Sequence, residues 1–520
     1  MKYLSLFVFF WCCIAQAVYA QKDEACRVWF KDKGSEPVVS GLYVDRPIYG
    51  PYLTALEALG GRIQVQSSWL NAAMVLVPAA RMETVRHLPF VERLEPIIPR
   101  TNLASIASKP EQRTDEPVEN QDLLRFVGLD ALHAQGWRGQ NIPVAVFDSG
   151  FLNADQNPAF DSVRISGRLM AVRDFVNTQP GANVYQEDNH GTLVWSVMAG
   201  VLPGQYRGAA PDARYALVRT ENAASETLDE ELTWAAGAEW AATNGIRLIN
   251  SSLGYSTFDN PADNHDYQDL DGNTTPIAQA ARIAVSKGLL VVNSAGNEGQ
   301  GLWERILTPC DVDGLLCVGG TFSDSLPVPF SSKGPTGDGR IKPDVVAWAS
   351  NVPLLNPQGF PQKASGTSFS TPLVAGLAAC LWSAKPEASA QDVFRAIRKT
   401  AWLPACALPN NTLGWGIPNG PRALAELRNP TDRPGQTSLT GFRAWFTTGH
   451  IHLDWPDGPD VFAVDVLNLT GQQVGHYQGL QPGRRYRLAL PDEWPAGVYI
   501  LRLSTTSGVG YTRKLIYAAD

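Results

Sequence analysis

Ala364-Ser365-Gly366-Thr367-Ser368-Phe369-Ser370-Thr371-Pro372-Leu373-Val374-Ala375-Gly376 is the stretch on which the fold turns. A loop of small residues, Ser365-Gly366-Thr367, hands a serine to the start of an apolar helix. Leu373, Val374, Leu377, Ala378, Leu381 and Trp382 recur at helical spacing and predict a buried face. Pro372 is expected in the first turn, where a missing N–H is tolerated. Ser368 then stands at a helix N-terminus, where free backbone N–H groups and the helix dipole favour developing negative charge. An acyl-transfer nucleophile and its oxyanion donors can share such a segment. A plain capping serine on a core helix would look the same, so the decision falls to the rest of the chain.

Three segments upstream bear on it. Asp148 closes the apolar run Val144-Ala145-Val146-Phe147 and precedes Ser149-Gly150, which predicts a carboxylate at the edge of a sheet. His190 sits in Asn189-His190-Gly191-Thr192, at the start of a helix continuing through Leu193, Val194, Val197 and Met198. Asn297 sits in Ser294-Ala295-Gly296-Asn297-Glu298-Gly299, just past an apolar strand. Singly, each reads as a turn or cap residue. Together they supply what a serine nucleophile lacks: a base, a group that orients the base, and an amide for the oxyanion. Asp, His, Ser is also one of the chain orders in which this constellation occurs.

On these motifs, and most specifically on Gly366-Thr367-Ser368-Phe369-Ser370-Thr371-Pro372, the segment from about Asn120 to Leu427 resembles the subtilisin-like serine proteases, or subtilases. The resemblance implies that Asp148, His190 and Ser368 are a catalytic triad. It implies the Asn297 side chain and the Ser368 backbone N–H as oxyanion donors. Asn250-Ser251-Ser252-Leu253-Gly254 resembles the segment that pairs with extended substrate, holding any peptide by its backbone. Ser252, Leu253, Gly254, Ser294, Ala295 and Gly296 are the substrate-binding residues so implied, and their small size suggests an open first pocket. Ser149 and Phe369 depart mildly from the residues more common in the family. No cofactor is implied for catalysis. A surface protein in which the same fold only binds is the rival reading, and the complete catalytic set argues against it. An esterase is a second rival, disfavoured because no Gly-x-Ser-x-Gly elbow surrounds Ser368.

Asp266, Asp269 and Asp271 crowd one loop with Asn273, so a structural calcium site is an expectation, set against a plain reading as turn and cap residues. Thr275 and Pro276 follow as a cap and first helical residue. Apolar runs at Ile142–Phe147, Tyr215–Val218, Arg247–Asn250, Leu289–Asn293 and Leu316–Gly319 alternate with helical stretches, notably Leu228–Thr243 and Pro276–Lys287. That alternation predicts an α/β fold, a parallel sheet with helices on both faces and ligands at the carboxyl ends of its strands.

Flanking units complete the expected organisation. Residues 1–20 read as a signal peptide, with Lys2, an apolar run from Leu4 to Ile14, and small residues before Gln21. The run is short of the ~20 residues that span a bilayer. Residues 21–117 read as a small α/β unit and a linker, Lys109 to Pro117 being polar, patternless and open to cleavage. This unit resembles the propeptides of subtilases, which makes it an intramolecular inhibitor and the chain a zymogen. Residues 118–427 are the catalytic segment and residues 428–441 a Pro/Gly linker. Residues 442–520 read as a small all-β sandwich with turns at Asp457-Gly458, Thr470-Gly471, Pro482-Gly483 and Ser507-Gly508. Ala496-Gly497-Val498-Tyr499-Ile500-Leu501-Arg502 and Arg513-Lys514-Leu515-Ile516 resemble the sorting domains of type IX secretion substrates, which implies secretion machinery as a partner.

A net charge of −8 over 520 residues disfavours nucleic acid as a partner. Hydrophobic residues at 44% and charged residues at 18% suit a soluble, core-forming protein with few surface charges. Cys310 and Cys317 flank a turn signal and are the expected disulfide, while Cys380 reads as a small buried residue. Cys26 and Cys406 are left without an assigned partner.

Overall fold

The computed structural model describes residues 23–34, 45–97, 120–403 and 409–430, and beyond them the strand segments 443–447, 450–454, 461–468, 473–480, 485–489, 497–505 and 510–517. The signal peptide, the linker around Lys109–Pro117, Cys406 and most of the second linker lie outside these residues.

The first four strands, β1 (Asp23–Phe30), β2 (Arg62–Ser67), β3 (Ala72–Pro78) and β4 (Val91–Pro96), form one sheet in the order β2-β3-β1-β4. Every pairing in it is antiparallel. Alternation sorts its two faces. Cys26, Val28 and Phe30 of β1 join Val75 and Val77 of β3 in a core with Leu56 of helix α1 (Gly50–Ala58) and with Met82 and Val85 of α2 (Met82–Arg86). Trp29 and Ala72 face the other way, into the core of the catalytic segment. Strand β1 was not legible as a strand, because Arg27 interrupts its apolar run.

The catalytic segment is built on seven parallel strands: β5 (Pro143–Asp148), β6 (Leu169–Asp174), β7 (Arg214–Arg219), β8 (Leu248–Ser251), β9 (Leu290–Ser294), β10 (Leu316–Thr321) and β11 (Val345–Trp348). Their spatial order is β11-β10-β9-β8-β5-β7-β6, and each neighbouring pair runs parallel. From β5 the chain runs to the edge strand β6, returns to β7 beside β5, then crosses to β8 on the far side of β5. That reversal lies between β5 and β8, where a doubly wound sheet opens a crevice at its carboxyl ends.

Helices cover both faces. On one, α3 (His190–Ala199) and α4 (Thr367–Ala384) share a core with Val144, Val146, Leu217, Val292 and Val318. On the other, α5 (Asp229–Thr243) and α6 (Pro276–Ser286) pack on Ala145, Phe147, Ala216 and Ile249. Trp29, Trp69 and Leu70 of the N-terminal unit join that second core. Polar contacts at this seam are specific. Arg27, 3% exposed, reaches Asp229 at 3.1 Å and Asp263 at 3.7 Å, besides Glu95 of its own unit at 3.0 Å. Glu239 of α5 accepts from Ser67 Oγ at 3.2 Å and from the Trp69 backbone N–H at 3.1 Å.

A compact unit ends at Arg428 and another begins at Asn429. The second contains a three-stranded sheet of Arg443–Thr447, His450–Asp454 and Arg485–Ala489. Its other sheet has four strands, Gln473–Leu480, Val461–Leu467, Gly497–Thr505 and Gly510–Tyr517 in that spatial order. All its pairings are antiparallel.

Three expectations meet a clear answer. Cys310 and Cys317 are disulfide-bonded, with Cα atoms 5.1 Å apart, and Cys380 is buried, its thiol donating to the Ala209 carbonyl at 3.2 Å. Pro372 is not in the first turn; α4 begins at Thr367, so the proline lies inside the helix.

Candidate active site

Three of the strongest candidates meet at the carboxyl edge of the sheet. Asp148 is the last residue of β5 and fully buried. His190 opens α3, its Nδ1–H donating to Asp148 Oδ1 at 2.8 Å. The same Oδ1 accepts from the Ser149 N–H at 2.9 Å and, at 3.3 Å, from Ser149 Oγ. Ser368 is the second residue of α4, 8% exposed, and its Oγ lies 3.4 Å from the Ser252 carbonyl oxygen. The Phe369 ring sits 5.8 Å from the imidazole of His190.

The misplaced proline explains one contact. Residue 372 would normally donate its N–H to the Ser368 carbonyl four residues earlier. Proline cannot, and that carbonyl instead accepts from Ser252 Oγ at 2.9 Å. Ser252 and Ser368 are therefore tied by two bonds, which fixes Ser368 to the segment after β8. We take this as the reason a helix-breaking residue is tolerated there.

Asn297 lies just beyond β9. The resemblance implies it as an oxyanion donor, and in the substrate-free protein its Oδ1 already accepts from the Thr367 N–H at 2.9 Å and from Thr367 Oγ1 at 3.1 Å. The amide plane is thus fixed by the first residue of α4, leaving the Nδ2 hydrogens as its free-standing donors. Ser252, Leu253 and Gly254 follow β8, and Ser294, Ala295 and Gly296 end β9 and lead to Asn297. The gap between these small residues is not open. A Cβ on Gly254 would fall 2.8 Å from Leu307 Cβ, and one on Gly296 (φ 105°) 2.7 Å from Leu307 Cγ.

Residues not singled out from sequence complete the site. Asp188 Oδ2 accepts from the His190 N–H at 3.1 Å and from Ser149 Oγ at 2.8 Å. Arg219 ends β7, buried, and donates to the Ser149 carbonyl at 2.9 Å while pairing with Asp174 at 3.2 Å and Glu187 at 3.1 Å. Asp188 was findable, lying two residues before a histidine at a helix start. Arg219 had no local signal.

The electrostatics are acidic. Burial alone would lower the His190 pKa, but the Asp148 carboxylate opposes it, helped by Asp188 and Glu221, and the imidazole rises to about 9. Its side chain keeps 22% exposure. Burial, then the charge of Asp148, raises Glu221 to about 7. Glu226 and Glu230 are pushed up chiefly by burial, then Glu226 by the charges of Glu221, Asp259 and Glu298, and Glu230 by those of Glu226 and Glu221.

The calcium expectation takes a different form. The Asp266 and Asp269 side chains close a capping box on a short 3-10 turn. Asp271 accepts from the backbone of Asn273 and Thr274 at 2.7 and 2.8 Å and from Thr274 Oγ1 at 3.0 Å. These carboxylates serve the chain around them, as the turn reading had it. Among the described residues, no group of three or more His, Cys, Asp or Glu side chains is placed to hold a metal ion, and no helix is long and apolar enough to cross a membrane.

The model of the subtilase family, Peptidase S8, matches residues 139–416. That of a peptidase S8 propeptide domain of Bacteroidota matches residues 28–116. Subtilisin E of Bacillus subtilis is 28% identical over 351 residues, which are 66% of this chain and 78% of the relative. Subtilisin of Bacillus pumilus is 31% identical over 280 residues, 52% of this chain and 87% of the relative. Among solved structures, MycP1 of Mycobacterium smegmatis aligns with a TM-score of 0.48 at 23% identity, covering 61% of this chain and 87% of its own.

Proposed function

The chain belongs to the subtilase family of serine proteases and carries the family's propeptide, and from that premise we propose that it is an exported endopeptidase whose triad is Asp148, His190 and Ser368. The observation that carries the assignment is the junction of three distant segments at one sheet edge, with the His190–Asp148 bond at 2.8 Å and Ser368 at a helix N-terminus.

The chemistry follows from that arrangement. With Nδ1–H committed to Asp148, His190 presents Nε2 as the base. Ser368 Oγ gives its proton to Nε2 as it bonds to the scissile carbonyl carbon. The carbonyl oxygen becomes an oxyanion, received by the Asn297 Nδ2 hydrogens and the Ser368 N–H, the latter strengthened by the dipole of α4. As the carbon–nitrogen bond breaks, the imidazolium returns the proton to the departing amine. Water then repeats the sequence on the acyl-enzyme and frees Ser368. No metal or cofactor takes part in these steps.

The remaining organisation belongs to the same proposal. Residues 1–20 direct export, residues 21–117 inhibit the enzyme until the linker is cut, residues 118–427 are catalytic, and residues 442–520 beyond the linker at 428–441 serve type IX sorting. The packing of Trp29, Trp69 and Leu70 on the catalytic core supports an inhibitory role for the N-terminal unit. Expression of the Ser368→Ala precursor in a host lacking other proteases tests self-processing: the variant keeps residues 21–117, and normal maturation would overturn the reading. Deletion of residues 442–520 should leave an active protease inside the periplasm; its normal release into the medium would remove the sorting role and favour a binding module.

A further inference from the structure

The two strips that flank Ser368 define where one substrate side chain must go. Ser252 O lies 3.4 Å from Ser368 Oγ on one side, and Asn297 is locked to Thr367 on the other. A carbonyl with its carbon at Ser368 Oγ and its oxygen at Asn297 Nδ2 carries its α-carbon between these strips. The side chain on that α-carbon then enters the slot left by Gly254 and Gly296, which have none of their own.

Leu307 occupies that slot. Its Cβ lies against Gly254, and its Cγ and Cδ1 lie 2.7 and 2.8 Å from where a Gly296 Cβ would be. Yet Leu307 is only half-buried, while Ile306 and Thr308 on either side of it are buried. Its side chain is therefore the floor of an opening and not part of the core. The backbone under it is pinned. The Leu307 N–H donates to the Ala295 carbonyl at 3.0 Å, and the Thr308 N–H to the Tyr255 carbonyl at 3.1 Å, with the Tyr255 N–H returning to the Thr308 carbonyl at 3.0 Å. The Cys310 N–H donates to the Leu307 carbonyl at 2.9 Å, and Cys310 is itself held by the disulfide to Cys317. Both strips are thus hydrogen-bonded to the segment that carries Leu307.

We propose that Leu307 is a specificity-determining residue that fills the pocket for the residue donating the acyl group, restricting it to side chains of glycine, alanine or serine size. This deepens the triad reading and rests on Ser368 and Asn297 acting as assigned there. A larger side chain would have to displace a leucine packed against two backbone segments, which overpacking makes costly. Aliphatic pockets discriminate by about ten- to two-hundredfold per misfit group.

The test uses the mature wild-type enzyme and its Leu307→Gly and Leu307→Ala variants, each active-site titrated by stoichiometric labelling with an organophosphate. The substrates are peptide p-nitroanilides differing only in alanine, leucine or phenylalanine at the acyl position. The wild type should favour alanine over phenylalanine by about tenfold or more in kcat/KM, and Leu307→Gly should reverse the order, with Leu307→Ala between them. Equal use of alanine and phenylalanine by the wild type overturns the proposal, as does an alanine-to-phenylalanine ratio unchanged in either variant. Should Leu307→Gly fail to mature, Leu307→Ala and the wild type's cleavage sites in an unfolded protein decide the matter. Small residues should then dominate the acyl side, and a majority of aromatic residues would overturn the proposal. A wild type that cleaves these substrates but takes up no organophosphate on Ser368 would instead sink the Ser368 reading, and this proposal with it.

Discussion

Asn297→Ala tests the site where its two roles can be separated. The substitution removes the Nδ2 donor aimed at the oxyanion and, at the same stroke, the Oδ1 acceptor that holds Thr367 N–H and Oγ1. Loss of one oxyanion donor lowers kcat by about 10²–10³-fold, or about 2.7–4 kcal/mol. Loss of two bonds at the start of α4 resembles loss of a helix cap, about 0.5–2 kcal/mol of stability. Both effects should therefore appear, with KM nearly unchanged because the donor serves a charge absent from the bound substrate. Asn297→Asp separates them: the carboxylate still accepts from Thr367 but cannot donate to an oxyanion. It should keep the melting temperature near wild type and lose kcat at least as severely as Asn297→Ala. The assay is kcat, KM and melting temperature of each purified mature variant on one peptide. A stably folded Asn297→Asp enzyme with wild-type kcat would refute the reasoning.

Three further outcomes follow from the charges. In the substrate-free protein His190 is raised to about 9, and only the neutral imidazole accepts a proton, so kcat/KM should rise with pH well above the ordinary histidine range. Glu221→Gln removes one of the negative charges holding that value up, and should move the acid limb of the kcat/KM profile down by up to about one pH unit; no movement would exclude Glu221 from the field at the site. Arg27→Ala strands Asp229 and Asp263 beneath the propeptide and should cost the Ser368→Ala precursor about 3–5 kcal/mol in urea unfolding at pH 7. Burial already raises the Asp229 carboxyl to about 6 against the pull of Arg27. The folded state therefore binds the extra proton between the ordinary carboxylate range and pH 6, and this group's effect is to strengthen docking as pH falls from 7 toward 4. That gain should be steeper in Arg27→Ala, and an opposite slope in both proteins would contradict the assignment.

The sheet was largely legible because most of its strands are buried on both faces and read as apolar runs. Strand β6 was missed for the opposite reason: it is an edge strand, half-exposed along its length. Strand β1 was hidden by Arg27, whose charge is met by Glu95, Asp263 and Asp229, the last of them 202 residues away in sequence. Asp148, His190, Ser368 and Asn297 stand out in the sequence because each ends or follows a strand or lies at the start of a helix, where local chemistry leaves a mark. The ground-state tie from Asn297 to Thr367 could not be read, since both ends are unremarkable alone. The same holds for Leu307: small residues at Gly254 and Gly296 suggested an open pocket, and only the fold brings a distant leucine between them. The calcium expectation illustrates the converse, an acidic loop whose carboxylates are consumed by their own backbone.

The central claim is that Ser368, activated by His190, forms the acyl-enzyme. Intact mass and peptide mapping after treatment with an organophosphate measure this most directly. Mature wild type should take up one adduct, on Ser368, and Ser368→Ala none, while a folded His190→Ala enzyme should react far more slowly at the same residue. An adduct on any other residue, or an unlabelled wild type that still cleaves peptides, would contradict the account.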